Sequence, residues 1–228
     1  MPVEVPDLEA IAGGPVAVDA HWRLYYTPRL FTAWTVEELS AVLAWHEIWH
    51  LLEEHPVRGK RVITDDVTLH AWRLATECKI NEAAERGGAR LPGSPVTPKR
   101  LGLPPGKWEE EYFDLLLLKN NVPQGRHGPG QEQGQPSPTK EDGTGGDCGS
   151  CADGHPRPYE LPAPAPGGAD GISKVEGELL RREVARRILE HSRARGDAPA
   201  GWRRWAEEKL SPKVDWRREL AGAIRQAF

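Results

Sequence analysis

Residues 35–52 read Thr-Val-Glu-Glu-Leu-Ser-Ala-Val-Leu-Ala-Trp-His-Glu-Ile-Trp-His-Leu-Leu, and residues 46–50 within them fit the pattern His-Glu-x-x-His. Residues four apart lie on the same face of a helix, so His46 and His50 can aim their imidazole nitrogens at one point. Many metalloproteases bind zinc in this way. Glu47 is better placed to take a proton from water than to bind the metal. The pattern therefore predicts His46 and His50 as zinc ligands and Glu47 as a general base.

The residues around this motif have the pattern of a capped helix with an apolar side. Thr35 is a hydroxyl N-cap, and Glu38 three positions later completes a capping box. Apolar residues recur at helical spacing at Val36, Leu39, Val42, Leu43, Leu51 and Leu52. Because Pro56 and Gly59 interrupt this spacing, we expect the helix to run from about residue 36 to residue 55. Core histidines that are satisfied by hydrogen bonds, or a site that has lost its metal, would give the same pattern.

A second helix is predicted from about residue 65 to residue 89, with Thr64 as its N-cap. At 100° per residue, His70, Glu77 and Asn81 fall within about 40° of one another on its surface. A carboxylate on a later helix can be the third zinc ligand, and Glu77 is therefore the candidate. Asn81 could orient Glu77 from the next turn, and His70 could support the site or contact the substrate. The alternative is that these residues form a solvated helix face.

Short strands are expected before the motif helix, because residues 15–34 are rich in Val, Trp, Tyr, Leu and Phe. Residues 22–26 have the composition of a strand, which residues 27–29 (Thr-Pro-Arg) would interrupt. The edge of this strand is a candidate binding site for an extended substrate by β-addition.

A break in the pattern covers residues 121–172, which are dense in Gly, Pro, Gln, Ser and Asp and predict a loop or linker. Within it, Cys148 and Cys151 have the Cys-x-x-Cys spacing of a zinc knuckle or a redox pair. A structural zinc site needs four ligands, and the sequence offers few others to help. A second metal site, a disulfide and a plain loop are therefore all alternatives for these two cysteines.

Helical patterns return in residues 173–228, where one apolar face is marked by Val175, Leu179, Leu180, Val184, Ile188 and Leu189. Two shorter helices should follow, one through Trp202 and Trp205 and one from Asp215. The segment holds 14 Lys and Arg against 9 Asp and Glu, while the whole chain has a net charge of −4. We interpret its arginines as the solvated faces of helices that pack on the core, and the pI near 6.1 does not favour a nucleic-acid partner.

The remaining composition excludes several classes of protein. No apolar run approaches the roughly 20 residues needed to span a bilayer, and residues 1–7 lack the basic and apolar regions of a signal peptide. Three cysteines are too few for a disulfide framework. We therefore expect a cytoplasmic protein without a membrane partner.

Four stretches carry a resemblance to known proteins: residues 41–50 with His55, residues 72–81, residues 148–154 and residues 212–217. Together they resemble a bacterial family of predicted metallopeptidases, whose longer members carry a von Willebrand factor A-like domain after the peptidase-like part. The first two stretches, Ala-Val-Leu-Ala-Trp-His-Glu-Ile-Trp-His and Trp-Arg-Leu-Ala-Thr-Glu-Cys-Lys-Ile-Asn, are the most specific as a pair.

The resemblance implies a zincin-like fold and a carboxylate ligand at Glu77, where the family usually has Asp. It also implies a role for His55 as the reserve ligand. Five residues rotate about 140° around a helix, so His55 can share the face of His46 and His50 only if the helix has ended before it. The von Willebrand-like domain is expected to be absent from this chain, and a partner chain could supply it.

These interpretations combine into an α+β, mainly helical fold. We expect a zincin-like core with a small N-terminal sheet over residues 1–120, a linker over 121–172 and a basic helical appendage over 173–228. The expected function is hydrolysis of a peptide or protein substrate, with one Zn²⁺ per chain. The alternative is a non-catalytic zincin-like adaptor that binds a protein partner, such as a chaperone-type ATPase or a von Willebrand A-like protein.

Overall fold

The computed structural model describes residues 1–121, 147–165, 170–211 and 224. The chain divides into two compact units, Met1–Ser173 and Lys174–Phe228. The described part is mainly helical and has one small three-stranded sheet, in agreement with the predicted α+β class. Among the described helices, none combines the length and the apolar character that crossing a bilayer requires.

The sheet consists of β1 (Pro2–Glu4), β2 (Val16–Val18) and β3 (Leu24–Tyr26), in the order β1-β3-β2. β1 runs parallel to β3, and β2 runs antiparallel to it. The predicted strand is present as β3, but it has a neighbour on each side. A strand that is paired on both sides has no edge to offer, so the expected addition of an extended substrate to this strand is wrong.

Asp19 closes the turn between β2 and β3 and explains why β3 begins later than predicted. The buried Asp19 carboxylate accepts hydrogen bonds from the backbone N–H groups of His21 and Arg23. Trp22, within this turn, has a φ of 65°, in the left-handed region. The extended conformation therefore starts only at Leu24.

The motif lies on a helix that changes its geometry twice. Thr35 and Glu38 form the predicted capping box at the start of α3 (Val36–Ser40), which follows the short helices α1 and α2, Leu8–Ala12 and Leu30–Ala33. The chain continues as a π-helical segment (Ala41–Glu47) and returns to an α-helix in α4 (Ile48–Leu52). π-helical turns are rare and occur frequently at functional sites. The prediction of one regular α-helix is therefore corrected.

The motif helix also ends before His55 instead of at it. Glu54 has a φ of 60°, and this left-handed residue turns the chain into α5 (His55–Val62). Pro56 and Gly59, predicted to stop the motif helix, lie inside α5, where a proline in the first turn needs no N–H partner. Because the chain turns at Glu54, His55 can lie beside the motif histidines.

An apolar cluster of the described residues joins α6 (Asp66–Arg86) and α7 (Glu109–Asn121). Asp65, not the predicted Thr64, is the N-cap of α6, and it forms a capping box with Thr68. The buried members of this cluster are Ala71, Trp72, Ala75, Cys78, Val96, Tyr112, Phe113 and Leu116. The opposite side of α6 is left to face the motif helix.

Residues 147–160, which we call the cysteine segment, pack within the first unit and include α8 (Ser150–Asp153). The Val18 N–H donates to the Cys148 carbonyl at 2.9 Å, and Trp72 Nε1 donates to the Ala152 carbonyl at 3.0 Å. This part of the predicted linker is therefore packed on the core. Residues 122–146 and 166–169 of that linker lie outside the described residues.

The second unit contains α9 (Lys174–Arg195) and α10 (Ala200–Leu210). The buried residues of α9 are Gly177, Arg181 and Ala185, two of which have small side chains that allow a neighbouring helix to approach. Val175 and Leu179 of the predicted apolar face are exposed instead. The last predicted helix, from Asp215, and the fourth resembling stretch lie outside the described residues.

Asp153 holds the cysteine segment by its charge and is buried between two arginines. Arg73 Nε and Arg157 Nη2 donate to Asp153 Oδ2 at 2.7 and 2.8 Å. Burial raises the pKa of Asp153, but the hydrogen bonds and charge of Arg157 outweigh burial and hold this pKa below its usual value. A lowered pKa stabilises the fold above the unfolded-state pKa, and this stabilisation is lost as the pH falls through the folded-state pKa.

We expect Asp153→Asn to lower the free energy of unfolding by about 2 kcal/mol at pH 7, because Arg73 and Arg157 each lose a buried charge partner, although Arg157 keeps its ion pair with Asp147. The difference from wild type should begin to shrink below about pH 4, where the carboxyl of the unfolded chain becomes protonated, and should vanish as the pH falls through the lowered folded-state pKa. Urea unfolding at pH 7 and at lower pH measures both values. Asp114→Asn, at an exposed position of α7, is the control and should have little effect. An equal loss at every pH would contradict the assignment.

Candidate metal centre

Four side chains from elements distant in sequence meet at one point. They are His46, His50, Glu77 and Cys148, and their donor atoms all lie within 4.8 Å of one another. His46 Nε2 is 3.1 Å from Cys148 Sγ and 3.4 Å from Glu77 Oε1. The same Glu77 oxygen is 3.5 Å from His50 Nε2 and 3.5 Å from Cys148 Sγ.

These separations fit four ligands of a single divalent metal ion. Ligands that lie roughly 2.0–2.3 Å from a tetrahedral zinc ion are roughly 3.3–3.8 Å apart. His50 Nε2 is buried and has no hydrogen-bond partner among the residues that the structure describes. A buried nitrogen without a partner is costly, and a metal ion would satisfy it. Two imidazoles, a carboxylate and a thiolate are all groups that bind zinc in proteins.

Asn81 orients the ring of His46. His46 Nδ1 lies 2.9 Å from Asn81 Oδ1, while Asn81 Nδ2 donates to Glu77 Oε2 at 3.0 Å and to the Val96 carbonyl at 2.9 Å. These two acceptors fix which end of the amide faces His46. Because an amide oxygen only accepts, His46 Nδ1 is the donor, and in the neutral ring Nε2 keeps its lone pair towards the cluster.

A chain of hydrogen bonds orients His50 in the same way. His55 Nε2 lies 2.8 Å from Glu109 Oε1, and His55 Nδ1 lies 2.9 Å from His50 Nδ1. Since a carboxylate only accepts, His55 donates through Nε2, and its Nδ1 accepts when the ring is neutral. His50 Nδ1 is then the donor, and its unpaired Nε2 keeps a lone pair that faces Glu77. Both motif histidines therefore present Nε2 to the cluster.

The far end of this chain lies in a buried network of charges. Burial raises the pKa of Glu109, but Lys79, His55 and Arg58 outweigh burial and hold this pKa well below its usual range. Arg58 Nη2 donates to Glu109 Oε2 at 2.8 Å, and Lys79 Nζ lies 3.3 Å from Glu109 Oε1. Burial lowers the pKa of His55 to about 3, so its ring is neutral beside an ionised Glu109.

The four donor residues also have shifted pKa values. Burial lowers the pKa of His46, but the charge and hydrogen bond of Glu77 outweigh it and raise this pKa to about 9. The same contact holds the pKa of Glu77 well below its usual range in spite of burial. Burial lowers the pKa of His50 and raises that of Cys148. Metal binding would therefore displace protons from His46 and Cys148.

Glu47 is buried next to this cluster without being one of its four donors. Cys151 Sγ donates to Glu47 Oε2 at 3.6 Å. Burial raises the pKa of Glu47 to about 8, while the charge of His46 lowers it. A carboxyl group with a pKa in this range can exchange protons near neutral pH.

The structure brings together most of the residues that the sequence singled out. Glu77 lies against the two motif histidines, and Asn81 and His55 lie directly behind the donor atoms. His70 is exposed on α6 and is not among the cluster residues. His70 is therefore not one of the four donors, and its role in support of the site or in contact with a substrate stays a prediction.

The positions of Cys148 and Cys151 differ most from what the sequence predicted. Cys148 joins the motif histidines instead of building a second centre, and Cys151 contacts Glu47. Both cysteines are free thiols, so the disulfide alternative is not what the structure contains. Their Cys-x-x-Cys spacing marked them as candidates, but it carried no information about the 71 residues that separate Cys148 from Glu77.

Glu109 is a supporting residue that the sequence did not single out. It stands in a run of three glutamates, Glu109–Glu111, at the start of α7, which is the usual place for solvated acids that favour a helix N-terminus. Only the fold shows that Glu109 is fully buried against His55, whereas Glu110 next to it is half exposed.

We expect Asn81→Leu to weaken zinc binding by about 10- to 100-fold, because it removes the acceptor of His46 and a donor to Glu77. Competition with a chromogenic chelator measures the affinity. Thr76→Val is the matched control, since Thr76 is equally buried on α6 and its hydroxyl donates only to the Arg73 carbonyl. Equal zinc affinities for the two variants would contradict the orienting role of Asn81.

Comparison with known proteins gives one match. The model of a protein family described as "Putative metallopeptidase domain" matches residues 5–228. No curated protein and no solved structure matches the chain. Since the family model covers almost the whole sequence, the chain belongs to this family.

Proposed function

We propose that this member of the metallopeptidase-domain family hydrolyses peptide bonds in a peptide or protein substrate with one bound zinc ion. The observation that carries the proposal is the convergence of His46 Nε2, His50 Nε2 and Glu77 Oε1, with Glu47 buried beside them. Two histidines and a glutamate are a ligand set of zinc hydrolases. We also propose that residues 1–120 and the cysteine segment together form the zincin-like core.

The proposed reaction assigns one proton-transfer role to Glu47. When bound, a zinc ion supplies Lewis-acid chemistry, because it acidifies water and polarises a carbonyl group. Glu47 accepts a proton from the attacking water, whose oxygen adds to the carbonyl carbon of the peptide bond. Glu47 then delivers this proton to the amide nitrogen as the C–N bond breaks. The products are a carboxylic acid and an amine, and Glu47 returns to its starting state.

The residues behind the ligands hold the site in shape during this reaction. Asn81 and His55 fix the rings of His46 and His50, so neither ring has to reorient when the substrate binds. Ligands that are held in place before the reaction reduce the cost of reaching the transition state.

A second candidate function is supported by Cys148. A fourth protein ligand would complete a tetrahedral zinc site, and sites with four protein ligands are typically structural. In that case, the chain would be a non-catalytic adaptor for a protein partner, such as a chaperone-type ATPase or a von Willebrand A-like protein. Measurements of bound zinc and of proteolysis on the same samples separate the two functions.

We expect Glu47→Gln to retain about one zinc ion per chain while its proteolytic rate falls by about 100- to 10,000-fold, because it removes the proton acceptor and no ligand. His46→Ala should lose both zinc and activity. Elemental analysis and cleavage of fluorescently labelled casein measure the two properties. Glu37→Gln, at an exposed position of α3, is the control and should resemble wild type. Cleavage by Glu47→Gln at the wild-type rate would refute the role of Glu47.

A further inference from the structure

The cysteine segment carries the only thiol among the four donor atoms of the described cluster. Cys148 Sγ lies 3.1 Å from His46 Nε2 and 3.5 Å from Glu77 Oε1, which are separations between ligands of one ion. A hydrolytic zinc site needs three protein ligands and a fourth position for water or substrate. Cys148 Sγ would take that fourth position, because its distances to His46 Nε2 and Glu77 Oε1 are those between ligands of one ion.

Cys148 is also the part of the segment that covers the cluster. His46, His50 and Glu47 are 1%, 0% and 3% exposed, so none of them offers solvent a path to the donor atoms. The remaining exposed surface belongs to Cys148 itself, at 8%, and to the Glu77 side chain, at 13%. Among the described residues, the side of Cys148 and Glu77 is therefore the more exposed side of the cluster.

The position of Cys148 is fixed by β2 and by the turn that follows it. The Val18 N–H donates to the Cys148 carbonyl at 2.9 Å, and the Ala20 N–H donates to Ser150 Oγ at 2.9 Å. Between these contacts, Gly149 has a φ of +85°, and a Cβ at this position would lie 2.5 Å from the Val18 carbonyl oxygen. Only glycine fits this approach to the end of β2. The thiol is therefore aimed into the cluster by the fold.

Cys151 does not share this position, although it lies on the same segment. Its Sγ lies 3.6 Å from Glu47 Oε2 and 3.3 Å from the Cys148 carbonyl oxygen, either of which can accept its one S–H hydrogen. Cys78, the third cysteine, is buried in the apolar cluster between α6 and α7. The two other cysteines therefore provide internal controls for Cys148.

We propose that Cys148 is the fourth ligand of the metal centre and that it keeps the peptidase site closed until its thiolate leaves. This inference rests on the proposed function and adds the regulation of the same site. The Cys148 Sγ–H releases its proton to solvent when the metal binds, and the thiolate takes a proton back when it leaves. No oxidant or reductant takes part in these steps.

The coordination test replaces zinc by Co²⁺ in the full chain and records the near-ultraviolet absorption, where a thiolate on cobalt gives a charge-transfer band. We expect this band in wild type and in the matched control Cys78→Ala. It should be absent from Cys148→Ser and Cys148→Ala, both of which should still bind Co²⁺ through the remaining ligands. A wild-type protein that binds Co²⁺ without the band, or a band lost in Cys151→Ala but kept in Cys148→Ser, would overturn the assignment.

The activity test uses zinc-loaded protein and fluorescently labelled casein. We expect Cys148→Ala to cleave at least about tenfold faster than wild type, because the fourth position is free without displacement of a thiolate. Cys148→Ala combined with Glu47→Gln should lose this activity, which excludes a contaminating protease. Thermal melting of each variant shows whether the fold is retained, and Cys148→Ser preserves the side-chain volume if Cys148→Ala does not fold.

The two tests separate this inference from the proposed function. If the thiolate band is present and wild type cleaves as fast as Cys148→Ala, the closing role of Cys148 is refuted while the peptidase function stands. If the band is present and no variant cleaves, Cys148 is confirmed as the fourth ligand and the peptidase function fails. If wild type cleaves without the band, the peptidase function stands and the inference fails.

Discussion

The fold buries four side chains that could hold a metal ion at one point inside a small unit, and many of the polar contacts around them satisfy these buried groups. His46, His50, Glu77 and Cys148 have little or no contact with solvent, and their donor atoms lie within 4.8 Å of one another. Polar groups in such surroundings must be satisfied by partners, because burial without them costs several kcal/mol per group. The side-chain atoms that face away from the cluster, His46 Nδ1, His50 Nδ1 and Glu77 Oε2, all have such a partner. His50 Nε2, which faces into the cluster, has no hydrogen-bond partner among the described residues.

Two separate systems supply those partners. On one side, the Asn81 amide joins His46 to Glu77 and to the backbone at Val96. On the other side, His55 and Glu109 continue the hydrogen bond of His50 into a buried group of charges. An oxygen that can only accept forces the ring nitrogen facing it to donate. Asn81 acts on His46 directly in this way, and Glu109 acts on His50 through His55, so both neutral rings carry their hydrogen on Nδ1. The two lone pairs then point to one place.

The arrangement of the cysteine segment connects this centre to the N-terminal sheet. A three-stranded sheet of such short strands is too small to form a core by itself. Its position beside the motif helix gives it another role, since the end of β2 holds the backbone of Cys148. The family of the chain is described as "Putative metallopeptidase domain", and the proposed fourth ligand would link the chemistry of the centre to the stability of this segment.

The sequence alone determined the local features of the site. The capping box of Thr35 and Glu38, the His-Glu-x-x-His spacing and the stagger of Glu77 and Asn81 on one helix all depend on residues within one or two turns of each other. Such short-range relations follow from helix geometry, so they can be predicted without knowing the fold.

Only the tertiary structure decided what lies around these residues. The turn at Glu54 places His55 behind His50, the packing of α7 buries Glu109 and leaves Glu110 half exposed, and the end of β2 brings Cys148 to His46 across 102 residues. No periodicity encodes these contacts, because each depends on how separate elements pack. In another fold, Cys148 could lie in an exposed linker and Glu109 could be a solvated charge at the start of a helix. Their role at the centre comes from burial and from the partners that burial imposes.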